Sequence, residues 1–238
     1  MKSIGTITRR ELSSFFDSLM AYIMIVAFLG FSGFFTWIQG RDVFFVGQAS
    51  LQSFFSIAYW TLFFFIPALT MRQVAEERKT GTIEMLLTKP VSEWQVLTGK
   101  FLSTLLLIVI ALVLTLPYYI TVAQLGPIDH GAVIMGYLGL VLMSAAYISI
   151  GIFTSSLTNN QIIAFLLALF IGIFFHIIFD ILSTSLPGAL GSVSHFLSMS
   201  THFESISRGV FDSKDLLYFL SIIILGLVGS EAVLSKRD

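Results

Sequence analysis

The sequence predicts an all-α integral membrane protein with six transmembrane helices. Three observations carry this. Only 11% of the 238 residues are charged and 56% are hydrophobic, where a soluble domain carries about 25% charge. Six apolar runs are long enough to cross a bilayer, at about 19–38, 54–71, 101–123, 132–153, 161–182 and 216–234. The connections divide Lys and Arg very unequally, ten on one side and three on the other, an asymmetry that orients membrane proteins. With an even number of spans, both termini fall on the basic side, which is the cytoplasmic one. The expected location is the inner membrane of a bacterium. Net charge is −1, so nothing points to nucleic acid. There is no cysteine, which excludes disulfides, thiolate metal sites and cysteine nucleophiles.

The elements follow in order. Ile4, Ile7, Leu12, Phe15, Phe16 and Leu19 recur at helical spacing, with Arg9, Arg10, Glu11, Ser13, Ser14 and Asp17 between them. Residues 4–18 are therefore an amphipathic helix suited to the membrane surface. The first apolar run has no small-residue cleavage site, so it is expected to remain as an anchor. Pro67 in span two and Pro117 in span three each remove a backbone donor. They are candidate hinges, or static kinks of the sort membrane helices tolerate. Gly126-Pro127 marks a turn between spans three and four. "TSSLTNN" joins spans four and five. The last connection, 183–215, reads as two short helices. One carries the stripe Leu190, Val193, Phe196, Leu197 and the other Phe203, Ile206, Val210. Asp180 and Glu231 fall near span ends, where an ionised group reaches water cheaply.

The densest charge lies in "EERKTGTIEMLLTKPVSEWQVLTGK", residues 76–100. Span two is expected to run past the membrane to Lys79, where Arg78 and Lys79 complement the negative helix end. Gly81 then stops it. A short helix "TIEMLLT" follows, capped by Thr82 and ended by Pro90. Ser92 and Gln95 form a capping box for the helix into span three. The 72–100 loop is thus a structured knob. Its apolar Ile83, Leu86 and Leu87 are ringed by charge, as a protein-docking surface requires.

This stretch resembles the cytoplasmic loop of ABC-2-type permeases, which reads E-E-[RK]-x-x-G-T-x-E-x-L-L-x-x-P-[VI]-S before a G-K. "GIFTSSLTNNQIIAF" (151–165) is similar to the family's fourth-to-fifth connection. "SISRGVFDSKDLLYFLS" (205–221) is similar to its outer segment before the last span. Within the family the likeness is greatest to the permease subunits of gliding-motility systems, then to those of copper-related nitrous-oxide-reductase maturation. The resemblance implies a single transmembrane domain over 1–238 that couples ATP hydrolysis to export of an amphiphilic substrate. Alternatively, the motion drives a periplasmic partner and nothing crosses. It implies a coupling helix of Thr82, Ile83, Glu84, Met85, Leu86 and Leu87 that docks on a cytoplasmic ABC ATPase. A second contact would lie at Leu157, Thr158, Asn159 and Asn160. It also implies a second permease chain, the lipid bilayer as surroundings, and, in gliding-type systems, a larger membrane subunit with a periplasmic domain. This chain lacks G-x-x-x-x-G-K-[ST]; Gly99-Lys100 has no upstream glycine and is followed by Phe101. The ATPase, with its ATP and Mg, is then a separate polypeptide, and this chain is non-catalytic and holds no cofactor of its own.

No constellation for covalent or acid–base chemistry stands out. One cluster, His195, Met199 and His202, has the spacing of a single helix face. Imidazole and thioether together suit copper(I). The same residue types are equally at home at an outer interface.

Overall fold

Every described segment long enough to hold regular structure is helical, and the reason is the solvent. Inside a bilayer a backbone must satisfy its own hydrogen bonds, which a helix does within one segment. The computed structural model describes residues 2–38, 49–82, 91–210 and 212–236. Its helices are α1 (Lys2–Asp17), α2 (Leu19–Trp37), α3 (Gln52–Thr70), α4 (Ala75–Lys79), α5 (Glu93–Val113), α6 (Leu116–Leu125), α7 (His130–Leu157) and α8 (Gln161–Ile173). A π-turn, Phe174–Ile178, leads to α9 (Phe179–Ser185), and then come α10 (Ala189–Leu197), α11 (Met199–Ser207) and α12 (Ser213–Ser235). Six of these runs are long and apolar enough to span a membrane. Among the described residues there is no β-strand.

Helix starts are set by side chains that accept the first free N–H groups. Ser18 caps α2, Asp129 caps α7, Asn160 caps α8, Ser198 caps α11 and Asp212 caps α12. The expected capping box at α5 is present. Ser92 Oγ accepts from the Gln95 N–H at 3.3 Å, and Gln95 Oε1 accepts from the Ser92 N–H at 3.3 Å.

Span four, α7, is the axis of the bundle. In its most apolar stretch 67% of residues are buried, against 22% in span five. Helix association in lipid rests on close packing, and α7 supplies the small residues it needs. Gly136 lies under the Phe55 ring and Gly151 against Thr70, both on α3. Ala145, Ala146, Ser144 and Ser149 are also buried.

Two expected boundaries differ. Span three is two helices, broken at Leu114–Thr115. Pro117 sits in the first turn of α6, where its missing N–H costs nothing. Pro67 stays within α3. "TSSL" is not loop: α7 runs through Leu157, because the Thr154 and Ser156 hydroxyls donate back to the carbonyls of Gly151 and Phe153. The connection to α8 is only residues 158–160.

Candidate functional site at the base of the bundle

The charged stretch 76–100 gathers the basic end of the bundle around one buried cation. Lys100, in the second turn of α5, is 1% exposed. Its Nζ donates to Glu77 Oε1 on α4 at 2.7 Å and lies 3.5 Å from Glu11 Oε2 on α1. Arg10 reaches the other oxygen of Glu11 at 2.5 Å. The preceding Gly99 is the contact point for α1. A Cβ there would come within 2.8 Å of Ile7 Cβ, so only glycine lets the amphipathic helix lie this close. The Gly-Lys pair thus does two jobs. Glycine admits α1, and lysine ties α1 and α4 to the start of span three.

The join between α3 and α4 is equally specific. The chain turns through residues 71–74, which frees backbone groups inside the protein. Ser155, fully buried on α7, satisfies three of them. Its Oγ accepts from the N–H groups of Val74 (3.1 Å) and Ala75 (3.0 Å) and donates to the Met71 carbonyl (2.9 Å). Gln73 donates to Thr104 Oγ1 alongside. Span four therefore holds the joint at which span two leaves the membrane. Ser155→Ala would strand two buried N–H groups, costing about 1–3 kcal/mol. The check is a lower melting temperature in detergent than for Ser156→Ala, whose hydroxyl bonds only within its own helix.

Of the expected coupling residues, Thr82 lies among the described ones. It is exposed and its hydroxyl pairs with that of Thr80 at 2.9 Å. Gly81 has φ of 70°, the left-handed stop expected after Lys79. Ile83, Glu84, Met85, Leu86 and Leu87 lie outside the described residues, as does Pro90. Leu157, Thr158, Asn159 and Asn160 form the corner just beyond Ser155. Leu157 is 46% exposed and Asn160 accepts from the Ile162 N–H. The structure thus brings this corner to the same end of the bundle as the 76–100 stretch.

The His195, Met199, His202 face does not form, because Ser198 interrupts the helix. His195 ends up exposed on α10, while Met199 and His202 are buried on α11. Both ring nitrogens of His202 are engaged. Nδ1 lies 2.6 Å from Asp215 Oδ1 and Nε2 lies 2.9 Å from the Phe196 carbonyl. The ring stacks on Tyr218 at 4.0 Å.

One polar centre escaped the sequence reading. His176, 2% exposed in the π-turn, pairs through Nδ1 with the Tyr147 hydroxyl at 2.7 Å. It stacks on Tyr59 at 3.9 Å. Ser200 Oγ donates to the His176 carbonyl and pairs with the Tyr59 hydroxyl. The cluster joins spans two, four and five to α11. Among the described residues no carboxylate is hydrogen-bonded or ion-paired to the imidazole. Its signal was available: an imidazole inside an apolar run is costly unless partnered.

Two relatives are similar to this chain in sequence. They are the probable multidrug ABC transporter permease YbhR of Escherichia coli strain K12 and its namesake from Escherichia coli O157:H7. Each is 26% identical over 149 residues, covering 60% of this chain and 39% of the relative. The matched part is thus well under half the length of those relatives. The pattern of the ABC-2 family transporter proteins matches residues 39–233, from the connection after span one to the last turns of span six. The chain belongs to the ABC-2 family of membrane transporter proteins.

Proposed function

We propose that the chain is the permease subunit of an ABC exporter, driven by a separate cytoplasmic ATPase and paired with a second permease chain. The observation that carries this is the mount around Lys100. Residues 83–90 run between α4 and α5, and both helices are anchored beside that loop, one by Glu77–Lys100 and the other by Ile7 over Gly99. A push on the loop therefore passes into spans two and three and, through Ser155, into span four. The ten-to-three division of basic residues supports a cytoplasmic orientation for this end, where an ATPase would meet it. The corner at residues 157–160 stands at the same end.

The substrate reading is an amphiphile. An ionic cargo needs charged partners at membrane depth. The chain offers few there, and it carries 24 Phe. The two relatives are named as probable multidrug ABC transporter permeases, and apolar cargo agrees with that. Transmission of force to a periplasmic partner is the second reading. It is favoured by α10, where Leu190, Val193 and Phe196 are each more than half exposed at the end opposite the base.

The docking role is tested by Leu86→Asp and Leu87→Asp. Burying a leucine is worth about 1.5–3 kcal/mol, so either change should release the ATPase during purification while the permease stays in the membrane. Full retention with normal ATP turnover in both variants would refute it.

A further inference from the structure

Near the base, spans one and two part. Between them lies a groove of about 450 Å³ lined by Leu19, Ile23, Ala27, Phe65, Ala68 and Leu69. Leu19 and Ile23 are 75% and 65% exposed, so the groove opens sideways from the bundle, toward the surrounding bilayer. Its polar residues are Ser18 and Arg72, and these also line the adjoining cleft of about 610 Å³ beneath α1. Arg72 thus stands where an apolar groove meets a polar cleft.

The Arg72 guanidinium is poorly matched within the chain. Its Nη2 donates to Met20 Sδ at 3.3 Å, and a thioether is a weak acceptor. Among the described residues no carboxylate lies within ion-pair distance of it. The cleft does contain carboxylates. Glu11 and Glu77 are taken by Lys100 and Arg10, and Glu76 is exposed. An arginine presents a planar fork of donors that fits phosphate oxygens two at a time. Basic pockets between transmembrane helices at the cytoplasmic side take lipid headgroups in this way.

We propose that this groove binds one phospholipid, with its phosphate on Arg72 and an acyl chain along Leu19, Ile23 and Phe65. The chain chemistry selects lipid over free phosphate, because the groove beside the guanidinium is almost wholly apolar. The site depends neither on an ATPase nor on what the protein exports.

The test uses the purified full-length chain in detergent, offered phosphatidylglycerol and diacylglycerol with identical acyl chains, with bound lipid read by native mass spectrometry. The wild-type chain should retain one phosphatidylglycerol and prefer it over diacylglycerol by about tenfold or more, the worth of a charge-assisted hydrogen bond. Arg72→Gln should bring that preference near parity, and Arg72→Lys should keep part of it. Ala68→Phe, which fills the groove, should lower retention of both lipids while leaving the melting temperature near wild type. An unchanged phosphatidylglycerol preference in Arg72→Gln overturns the headgroup assignment. Undiminished retention of both lipids in Ala68→Phe overturns the groove. Displacement of the lipid by millimolar inorganic phosphate would make this a site for the free anion instead.

Discussion

Lys100→Met is expected to cost about 3–5 kcal/mol, the usual penalty for leaving a buried ion without its partner. The ammonium is nearly inaccessible, and Glu77 and Glu11 are only 19% and 17% exposed at the side chain. Among the described residues Glu77 Oε2 has no hydrogen-bond partner, so none of them offers the carboxylate a replacement. The methionine retains the length and apolar packing of the lysine stem, so the loss reports charge rather than volume. The measurement is thermal melting in detergent, extended to a double-mutant cycle with Glu77→Gln. Removing the negative charge as well should recover much of the loss, because two neutral groups no longer demand compensation. Glu11→Gln should be milder, since Lys100 keeps Glu77 at 2.7 Å and Glu11 stands 3.5 Å from the ammonium. Salt should have little effect, because buried pairs are weakly screened. If Lys100→Met melts like the wild type, the base is not held by this ion pair.

His202→Ala is expected to be comparably damaging at the opposite end, by about 3–5 kcal/mol. Asp215 is 6% exposed, and among the described residues its Oδ2 has no hydrogen-bond partner. Without the imidazole, both carboxylate oxygens would be stranded. Asp215 lies in the first turn of α12. Both His202 nitrogens face acceptors. Asp215→Asn should cost less, about 1.5–3 kcal/mol, since it removes a charged hydrogen bond but leaves no bare charge. The ordering of the two variants in thermal melts is the check. Equal melting temperatures for His202→Ala and the wild type would show that the pair does not tie α11 to span six.

Much of the fold was legible because the bilayer imposes it. Length and apolarity are local properties, so the six spans could be read to within a few residues at most ends. Caps are local as well, and the Ser92–Gln95 box and the Gly81 stop stand where their residue types put them. Errors arose where local chemistry had a distant partner. "TSSLTNN" reads as a polar connection between spans four and five. Ser155 instead serves the backbone of residues 71–75, more than 80 positions away in the chain for most of its bonds. The His195, Met199, His202 spacing assumed one unbroken helix, and Ser198 breaks it to cap the next.

The sequence by itself determined that this chain crosses a membrane six times, begins with an amphipathic helix and concentrates its charge in one loop. Hydropathy is enough for that, because a span is defined against lipid and not against other spans. It did not determine which spans are central. Lipid tails and leucine side chains are equally apolar, so the hydrophobic effect that separates inside from outside in a soluble protein is silent within a bilayer. Only the tertiary structure decided that α7 is the axis, that Gly99 is the bed for Ile7, and that Lys100 is buried between Glu77 and Glu11. Each depends on steric fit or charge pairing between residues far apart in sequence, and such pairings have no period for a single sequence to display.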